Sequence, residues 1–191
     1  MPSKTLTFDT RPDSLALQAL AMAPGKDDGA AHCHPDTLGI YFYRNRHPEY
    51  GHLSNFYASP VFLDDKRWPT TEHYFQAAKF PHDPQYQEVI RACTSPAKAA
   101  SKGRSRAHPL RDDWEQAKEE VMERAVLAKY TQHTELGAQL LATGDALLVE
   151  HTHNDTYWAD GGGEEGAGLN RLGVILMRVR TRLATEAAAA S

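Results

Sequence analysis

The spacing of apolar residues predicts a mostly helical chain between about Leu38 and Leu183. In two long segments, apolar positions recur at intervals of three and four, the pattern of an amphipathic helix. The first predicted helix runs from about Arg111 to Tyr130 and the second from about Leu169 to Leu183. The residues expected to face the core are Trp114, Ala117, Val121, Ala125 and Ala128 in the first helix, and Leu172, Ile175, Leu176 and Val179 in the second.

Shorter elements are predicted from local start and stop signals. Val61-Phe62-Leu63, a turn at Asp64-Asp65 and Lys66-Arg67-Trp68 indicate a hairpin. The remaining predicted elements are helices over Thr71–Phe80, Pro84–Cys93, Ser95 or Pro96 to Lys102, and Glu135–Ala142, and strands at Ile40–Tyr43 and Leu147–Glu150. A few short strands among many helices favour the α+β class over a doubly wound sheet. We therefore expect a predominantly helical single domain with a small sheet of short strands.

The two ends of the chain differ in composition from the middle. Residues 1–36 include Pro24-Gly25-Lys26-Asp27-Asp28-Gly29, which is typical of a linker, so we expect a flexible N-terminal extension. The alanine-rich residues 186–191 predict a disordered tail. The folded domain is expected at residues 37–185, which is long enough for one substantial core.

Composition and charge exclude several classes of protein. The net charge of -4 gives no basic footprint for extensive nucleic-acid binding, although it leaves room for a local basic pocket. The only two cysteines, Cys33 and Cys93, fit a reducing cytosol, and we expect a cytoplasmic protein without a membrane span or secretory signal. His32-Cys33-His34 lacks the spacing of a zinc site, so no metal is expected.

Three polar residues share one side of the helix predicted over Thr71–Phe80. Glu72 and Lys79 lie seven residues apart, nearly two helical turns, so both should project from the same side about 10 Å apart along the axis. Gln76 falls between them. A carboxylate, an amide and an amine in one row can bind a polar substrate. The alternative is structural, because both charges also complement the helix dipole.

Two loops supply further groups that suit a sugar or a base. Asn55 can bond a ribose hydroxyl or a base edge, or can instead cap the local backbone as an Asx turn. Gly161-Gly162-Gly163 allows the backbone to pass close to a ligand, and a merely flexible turn is the alternative. Beside these glycines, Trp158 can stack on a base and Asp160 can accept hydrogen bonds from hydroxyl groups.

Positive charge for a phosphate group is predicted in two places. The start of the last helix is a ready anion site, to which Arg171 can add a bidentate contact. The run Lys102-Gly103-Arg104-Ser105-Arg106 is a second supply, or alternatively ordinary solvated surface. The residues predicted to bind substrate are Asn55, Phe56, Trp68, Gln76, Arg104, Trp158, Asp160, Gly161, Asn170 and Arg171.

Several separated motifs together resemble one known family. They are Gly51-His-Leu-Ser-Asn-Phe56, Trp68-Pro-Thr-Thr-Glu-His-Tyr-Phe-Gln-Ala-Ala-Lys-Phe80, His151-Thr-His-Asn-Asp155, Tyr157-Trp-Ala-Asp-Gly161 and Leu169-Asn-Arg-Leu-Gly173. Their order and content resemble the NADAR (YbiA-like) family over about Leu38 to Leu183, nearly the whole predicted domain.

This resemblance implies an N-glycosidase that hydrolyses a ribosyl C–N bond without a metal or an organic cofactor. It implies that Glu72 and Lys79 are the catalytic pair and that Trp158 and Asp160 lie in the pocket. The implied substrates are phosphoribosylamino-pyrimidine intermediates of riboflavin biosynthesis, which the acidic net charge favours, or ADP-ribose attached to guanine in nucleic acid. A third hypothesis is a module that binds ADP-ribose or NAD without cleaving it; the presence of both Glu72 and Lys79 favours catalysis.

Cleavage of a ribosyl C–N bond makes different demands on Glu72 and Lys79. Positive charge builds on the anomeric carbon, and a carboxylate stabilises it. The helix dipole is expected to keep Glu72 ionised, as a stabiliser, base or nucleophile rather than a resting acid. Lys79 either assists the departing nitrogen or, with a pKa lowered by burial, attacks the anomeric carbon as a neutral amine and forms an imine. The sequence leaves both roles open.

Overall fold

The computed structural model describes residues 32–33, 39–162 and 168–190, and the elements in these ranges confirm the α+β prediction. The described strands are β1 (His32–Cys33), β2 (Gly39–Phe42), β3 (Val61–Leu63), β4 (Lys66–Trp68) and β5 (Leu147–Glu150). The described helices are α1 (Thr71–Ala77), α2 (Pro84–Arg91), α3 (Pro96–Gly103), α4 (Trp114–Gln132), α5 (Thr134–Ala142) and α6 (Arg171–Ala189). Most of the extension predicted at residues 1–36 lies outside the described ranges, as do Gly163 and the side chains of His32, Cys33 and His34.

The strands form two small sheets. In the first, β2 pairs in parallel with β5 and antiparallel with β1, and Phe42 lies opposite Glu150. Because parallel strands end at the same edge of a sheet, the residues that follow β2 and β5 are brought together. The second sheet is the predicted hairpin of β3 and β4, whose turn residues Asp64 and Asp65 have φ angles of 52° and 58°. These left-handed angles fit the twist of a two-residue hairpin turn.

Helix α1 begins as the sequence predicts but ends earlier. The Thr70 side chain accepts a hydrogen bond from the backbone N–H of His73 and caps the helix. Instead of continuing to Phe80, the helix ends at Ala77, and the N–H of Phe80 bonds to the Ala77 carbonyl in a tight turn. Pro81 follows and disfavours helical backbone at Phe80. Lys79 therefore projects from the turn after the helix.

Helix α1 lies between two hydrophobic clusters. Phe75 packs into the larger cluster, with residues of α4, α6, β2 and β5, while Tyr74 and Ala77 pack into a second cluster with the hairpin, α2 and α3. His73, Ala77 and Phe80 are also buried. Because every residue of α1 is buried, its polar side chains must lie against protein or inside a cavity.

The two long helices differ from their predictions at particular positions. In α6 all four residues predicted to face the core are buried, but the predicted end at Leu183 and the disordered tail are wrong, because the helix continues to Ala189. Alanine has the highest helix propensity, so this composition extends the helix. In α4, Ala117 and Val121 are only half-buried, because Met122, Val126 and Tyr130 fill the larger cluster instead.

Within the described residues, the helices are all too short or too polar to cross a membrane.

Candidate active site

A cavity of about 530 Å³ lies where α1, α3 and α4 meet the segments that follow β2 and β5. Its size is within the range of small-molecule sites. The Glu72 and Lys79 side chains both line it, so the structure brings the predicted catalytic pair to one concave surface. The other predicted residues that line the cavity are Asn55, Phe56, Gln76, Arg104 and Trp158.

The polar groups at the start of α1 are fixed by the loop that carries Asn55. The Thr71 hydroxyl donates to the backbone carbonyl of Asn55 at 3.0 Å and contacts its side-chain oxygen at 3.1 Å. The N–H of Glu72 also bonds to the Asn55 carbonyl, at 3.3 Å. Gln76 Nε2 donates to Glu72 Oε1 at 2.7 Å, while Gln76 Oε1 is buried with no hydrogen-bond partner among the described residues. The carboxylate and the amide thus form one rigid unit.

The environment of Glu72 opposes the effect of the helix dipole, on which the expectation of an ionised carboxylate rested. Burial raises the pKa of Glu72, and the negative charge of Asp155 raises it further. The hydrogen bond from Gln76 and the charges of Lys79 and Arg104 act in the opposite direction but are outweighed. The sequence-based expectation considered the helix dipole and not the burial, which is the larger effect. Glu72 therefore takes up a proton more readily than an exposed glutamate does.

Lys79 lies in surroundings that favour its neutral amine. Its Nζ is 3.5 Å from the Gly103 carbonyl oxygen and about 5.5 Å and 5.4 Å from the ring centres of Phe75 and Trp114. Burial lowers the pKa of Lys79 to about 8, against the opposing influence of Glu72. About a tenth of the amine is then neutral at pH 7, compared with less than a thousandth for an exposed lysine. The amine meets the requirement for a lysine nucleophile.

Two further cations, Arg104 and Lys118, line the cavity together with Lys79. Arg104 follows α3, is exposed, and its guanidinium makes no hydrogen bond among the described residues. Lys118 lies over the ring of Tyr157, 3.6 Å from the ring centre, and pairs with Glu115. An uncommitted guanidinium at the mouth of a cavity is suited to bind a phosphate group.

Three acidic side chains that the sequence-based predictions did not include line the cavity: Glu115, Glu150 and Asp155. Glu150 is the last residue of β5, and Asp155 lies in the following loop. The Asp155 side chain accepts hydrogen bonds from the N–H groups of Tyr157 and Trp158, at 2.8 Å and 2.7 Å. These bonds hold the Trp158 ring edge-on to Phe75, with ring centres 5.3 Å apart. For Glu150, the available sequence signal was an acid as the last residue of the predicted strand Leu147–Glu150.

Three of the predicted substrate-binding residues lie away from the cavity lining. Trp68 is buried in the hairpin cluster, where its indole N–H donates to the Leu63 carbonyl. Asp160 is fully buried, accepts a hydrogen bond from the N–H of Gly162, and pairs with His151 at 2.6 Å. Gly161 adopts a φ of 82° in the turn beside it, which explains a glycine there without a ligand.

Asn170 and Arg171 also have protein partners instead of facing the cavity. Asn170 is buried with a φ of 47°, and its side chain bridges the backbone of Leu148 and Glu150 in β5. Arg171 makes a bidentate ion pair with Glu119 of α4. The predicted phosphate contact at the start of α6 is therefore occupied by protein groups. Both partners come from distant parts of the chain, so local sequence gave no sign of them.

Comparison with known proteins agrees with the motifs. The sequence profile of the NADAR domain matches residues 41–184. The chain is 54% identical over 155 residues to the N-glycosidase YbiA of Escherichia coli (strain K12), covering 81% of this chain and 94% of that protein. It is 43% identical over 148 residues to the riboflavin biosynthesis protein VVA0006 of Vibrio vulnificus (strain YJ016), covering 78% of this chain and 39% of that longer protein.

The fold gives the same result. The fold of this chain is similar to the NMR structure of the E. coli protein YbiA, with a TM-score of 0.73 and 53% sequence identity. The match covers 83% of this chain and 91% of the YbiA chain. The similarity thus extends over the helices and strands that surround the cavity. The resemblance indicated by the motifs is confirmed, and the chain belongs to the NADAR domain family.

Proposed function

We propose that this enzyme, a hydrolase of N-glycosyl bonds, cleaves the bond between ribose 5-phosphate and the amino group of a pyrimidine intermediate of riboflavin biosynthesis. The observation that carries the proposal is the presence of Glu72, Lys79 and the uncommitted Arg104 around one cavity. The names of the N-glycosidase and riboflavin biosynthesis relatives support the class of substrate.

The proposed substrate matches the distribution of charge in the cavity. Arg104 binds the 5-phosphate, and the carboxyl groups of Glu72 and Asp155 lie against the sugar, where positive charge develops as the C–N bond breaks. Trp158 covers the ribose or the base from the side. The exposed guanidinium of Arg104 and the buried carboxyl group of Glu72 would therefore contact different parts of a phosphoribosyl group.

The lowered pKa of Lys79 favours the imine route over a role as a permanently charged group. In that route the neutral amine attacks the anomeric carbon of the ring-opened sugar, the pyrimidine amine leaves, and water then hydrolyses the imine to release the sugar phosphate. Glu72 stabilises the positive charge of the imine and positions the water. The fixed hydrogen bond between Gln76 and Glu72 would keep the carboxyl group in place through these steps.

A second candidate substrate is ADP-ribose attached to guanine in nucleic acid. Lys118 and Arg106 add positive charge near Arg104 and Lys79, and a diphosphate would use more of this charge than a single phosphate does. The observation in its favour is therefore the number of cations at the cavity mouth.

A hydrolysis assay separates these candidates. The purified enzyme is incubated with a phosphoribosylamino-pyrimidine and, separately, with an oligonucleotide that carries ADP-ribosyl guanine. We expect release of ribose 5-phosphate from the first at a rate at least tenfold above release of ADP-ribose from the second. Faster release of ADP-ribose would favour the second candidate, and binding of either compound without cleavage would contradict an enzyme for that bond.

A further inference from the structure

Glu150 is a carboxyl group in the cavity to which neither the motifs nor the proposed function assigns a role. It ends β5, opposite Phe42 of the parallel strand β2. The side chain lines the same cavity as Glu72 and Lys79 and is half-buried. Strand ends hold side chains in fewer positions than loops do, which is how precise sites are built.

The backbone of Glu150 is fixed on both sides by residues that the sequence predicted to bind substrate. Its N–H donates to Asn170 Oδ1 at 3.0 Å, and its carbonyl accepts from the N–H of Asp160 at 3.0 Å. Asn170 Nδ2 also donates to the carbonyl of Leu148 at 2.9 Å. Asn170 and Asp160 therefore hold the backbone of Glu150 in place.

The approach of α6 to β5 depends on a residue without a side chain. A Cβ atom at Gly173 would lie 2.0 Å from the Leu148 carbonyl oxygen and 2.5 Å from Asn170 Nδ2. Only glycine permits this contact, because backbone atoms cannot move aside as a flexible side chain can. Gly173 thus allows α6 and Asn170 to pack closely against β5, the strand that ends at Glu150.

The electrostatic surroundings of Glu150 favour its protonated form. Among the described residues, its carboxyl group has no hydrogen-bond donor and no ion pair. Burial raises the pKa of Glu150 to about 8, and the negative charges of Asp155, Glu72 and Asp160 contribute. The other charged or titratable side chains that line the cavity are Tyr43, Lys79, Arg104, Glu115 and Lys118. A neutral carboxyl group at pH 7 can donate a proton to a leaving group.

We propose that Glu150 is the general acid that protonates the departing nitrogen, an inference that rests on the proposed function. As the C–N bond at the anomeric carbon breaks, its electron pair moves onto the nitrogen, which takes the Glu150 proton and leaves as a neutral amine. The anomeric carbon is then held by Lys79 as an imine. When water adds its oxygen to this carbon, one water proton returns to the Glu150 carboxylate, and the other passes to Lys79 Nζ as its bond to the sugar breaks. The net change is one water consumed and one amine released with the sugar phosphate.

This assignment gives the three groups at the cavity separate tasks. If Glu150 supplies the proton, Lys79 need not do so and remains available as the nucleophile. Glu72, bonded to Gln76, stays beside the sugar. Glu150 then donates a proton, and Lys79 attacks as a neutral amine.

The test compares leaving groups in the Glu150→Gln variant. A phosphoribosylamino-pyrimidine needs protonation to leave, whereas the 4-nitrophenyl ribofuranoside 5-phosphate leaves as a stable phenolate. We expect kcat to fall by about 10²–10⁴-fold on the first compound, the range for general acid catalysis, and by less than about fivefold on the second. Equal losses on both compounds, or no loss on the first, would overturn the assignment.

A second readout does not depend on activity. The infrared difference spectrum at pH 7 between the wild type and Glu150→Gln should contain the band of a protonated carboxyl group. The control is the surface variant Glu123→Gln, which removes a carboxylate paired with Arg178. The difference spectrum between the wild type and this control should not contain that band. A carboxylate band in place of the protonated one in the Glu150→Gln difference spectrum would overturn the inference. If the wild type releases no ribose 5-phosphate while the band is present, the proposed function fails and the protonation of Glu150 stands.

Discussion

At the scale of single residues, burial decides the chemistry of this cavity more than sequence position does. Glu72 occupies the first turn of a helix, where the dipole favours a carboxylate, yet burial raises its pKa. Lys79 follows the same helix, and burial lowers its pKa to about 8. Glu150 has its pKa raised to about 8. These values bring groups that normally titrate far apart toward one pH.

Lys79 is expected to form a covalent intermediate with substrate. Because its amine is partly neutral near pH 7, borohydride added during turnover should reduce the imine and attach the sugar phosphate to Lys79. The yield should rise from pH 7 to pH 8.5, as deprotonation proceeds. Mass spectrometry of the digested protein identifies the site, and Lys79→Arg is the matched control. An unmodified Lys79 at full turnover would rule out the imine route.

Glu150 is expected to make the stability of the fold depend on pH. Its pKa in the fold, about 8, lies above the ordinary glutamate value, so the folded state binds the proton more tightly than the unfolded state. The stabilisation is complete below the unfolded pKa and is lost as pH rises through about 8.

The variant Glu150→Gln removes this ionisation without changing the shape of the side chain. At pH 8.5 it should melt about 2–4 °C above the wild type, which corresponds to about 1 kcal/mol for a chain of this length. At pH 5 the two melting temperatures should agree more closely, because the wild-type carboxyl group is protonated there. A variant that is destabilised equally at both pH values would contradict a protonated Glu150. Thermal unfolding followed by circular dichroism measures the melting temperatures of the wild type and the variant at both pH values.

At the scale of elements, the local signals predicted the scaffold but not how its parts meet. The hairpin, its Asp64-Asp65 turn and the caps at Thr70 and Ser95 follow from side chains that bond to their own neighbours. Asn170 and Arg171 were predicted from the sequence to bind substrate at the start of the last helix. Their partners, β5 and Glu119, are far away in the sequence, and only the packing of α6 against them reveals their structural roles.

The end of α3 is expected to control the shape of the cavity. A Cβ atom at Gly103 would lie 1.8 Å from Gln76 Oε1 and 2.9 Å from Gln76 Cβ, and the Gly103 carbonyl contacts Lys79. Gly103→Ala should therefore displace Gln76 and Lys79 and lower kcat/KM at least tenfold.

The stability of Gly103→Ala should change little, because the gain in helix propensity, about 1 kcal/mol, partly offsets the collision. Ser101→Ala, an exposed position on the same helix, is the control for substitution in α3 and should retain wild-type kcat/KM. A wild-type kcat/KM in Gly103→Ala would contradict the prediction that the end of α3 controls the shape of the cavity.

At the scale of the whole molecule, the fold gathers polar groups from separate segments into one cavity. The loop before the hairpin supplies Asn55, α1 supplies Glu72, the end of α3 supplies Arg104, and the segment after β5 supplies Asp155 and Trp158. The sequence analysis identified four of these residues, because each lies in a motif of polar residues or glycines. They are Asn55, Glu72, Arg104 and Trp158. Asp155 lies at the end of a motif but was given no role. Glu150 was missed because burial among other carboxyl groups is a property of the assembled fold.

The most direct test of the central claim is the rate of ribose 5-phosphate release from a phosphoribosylamino-pyrimidine by the wild type and by Glu72→Gln. If the cavity around Glu72 and Lys79 is the active site, the variant should retain its melting temperature and lose about 10²–10⁴-fold in kcat, because its amide cannot stabilise positive charge at the anomeric carbon. A folded Glu72→Gln enzyme with a wild-type rate would contradict the account.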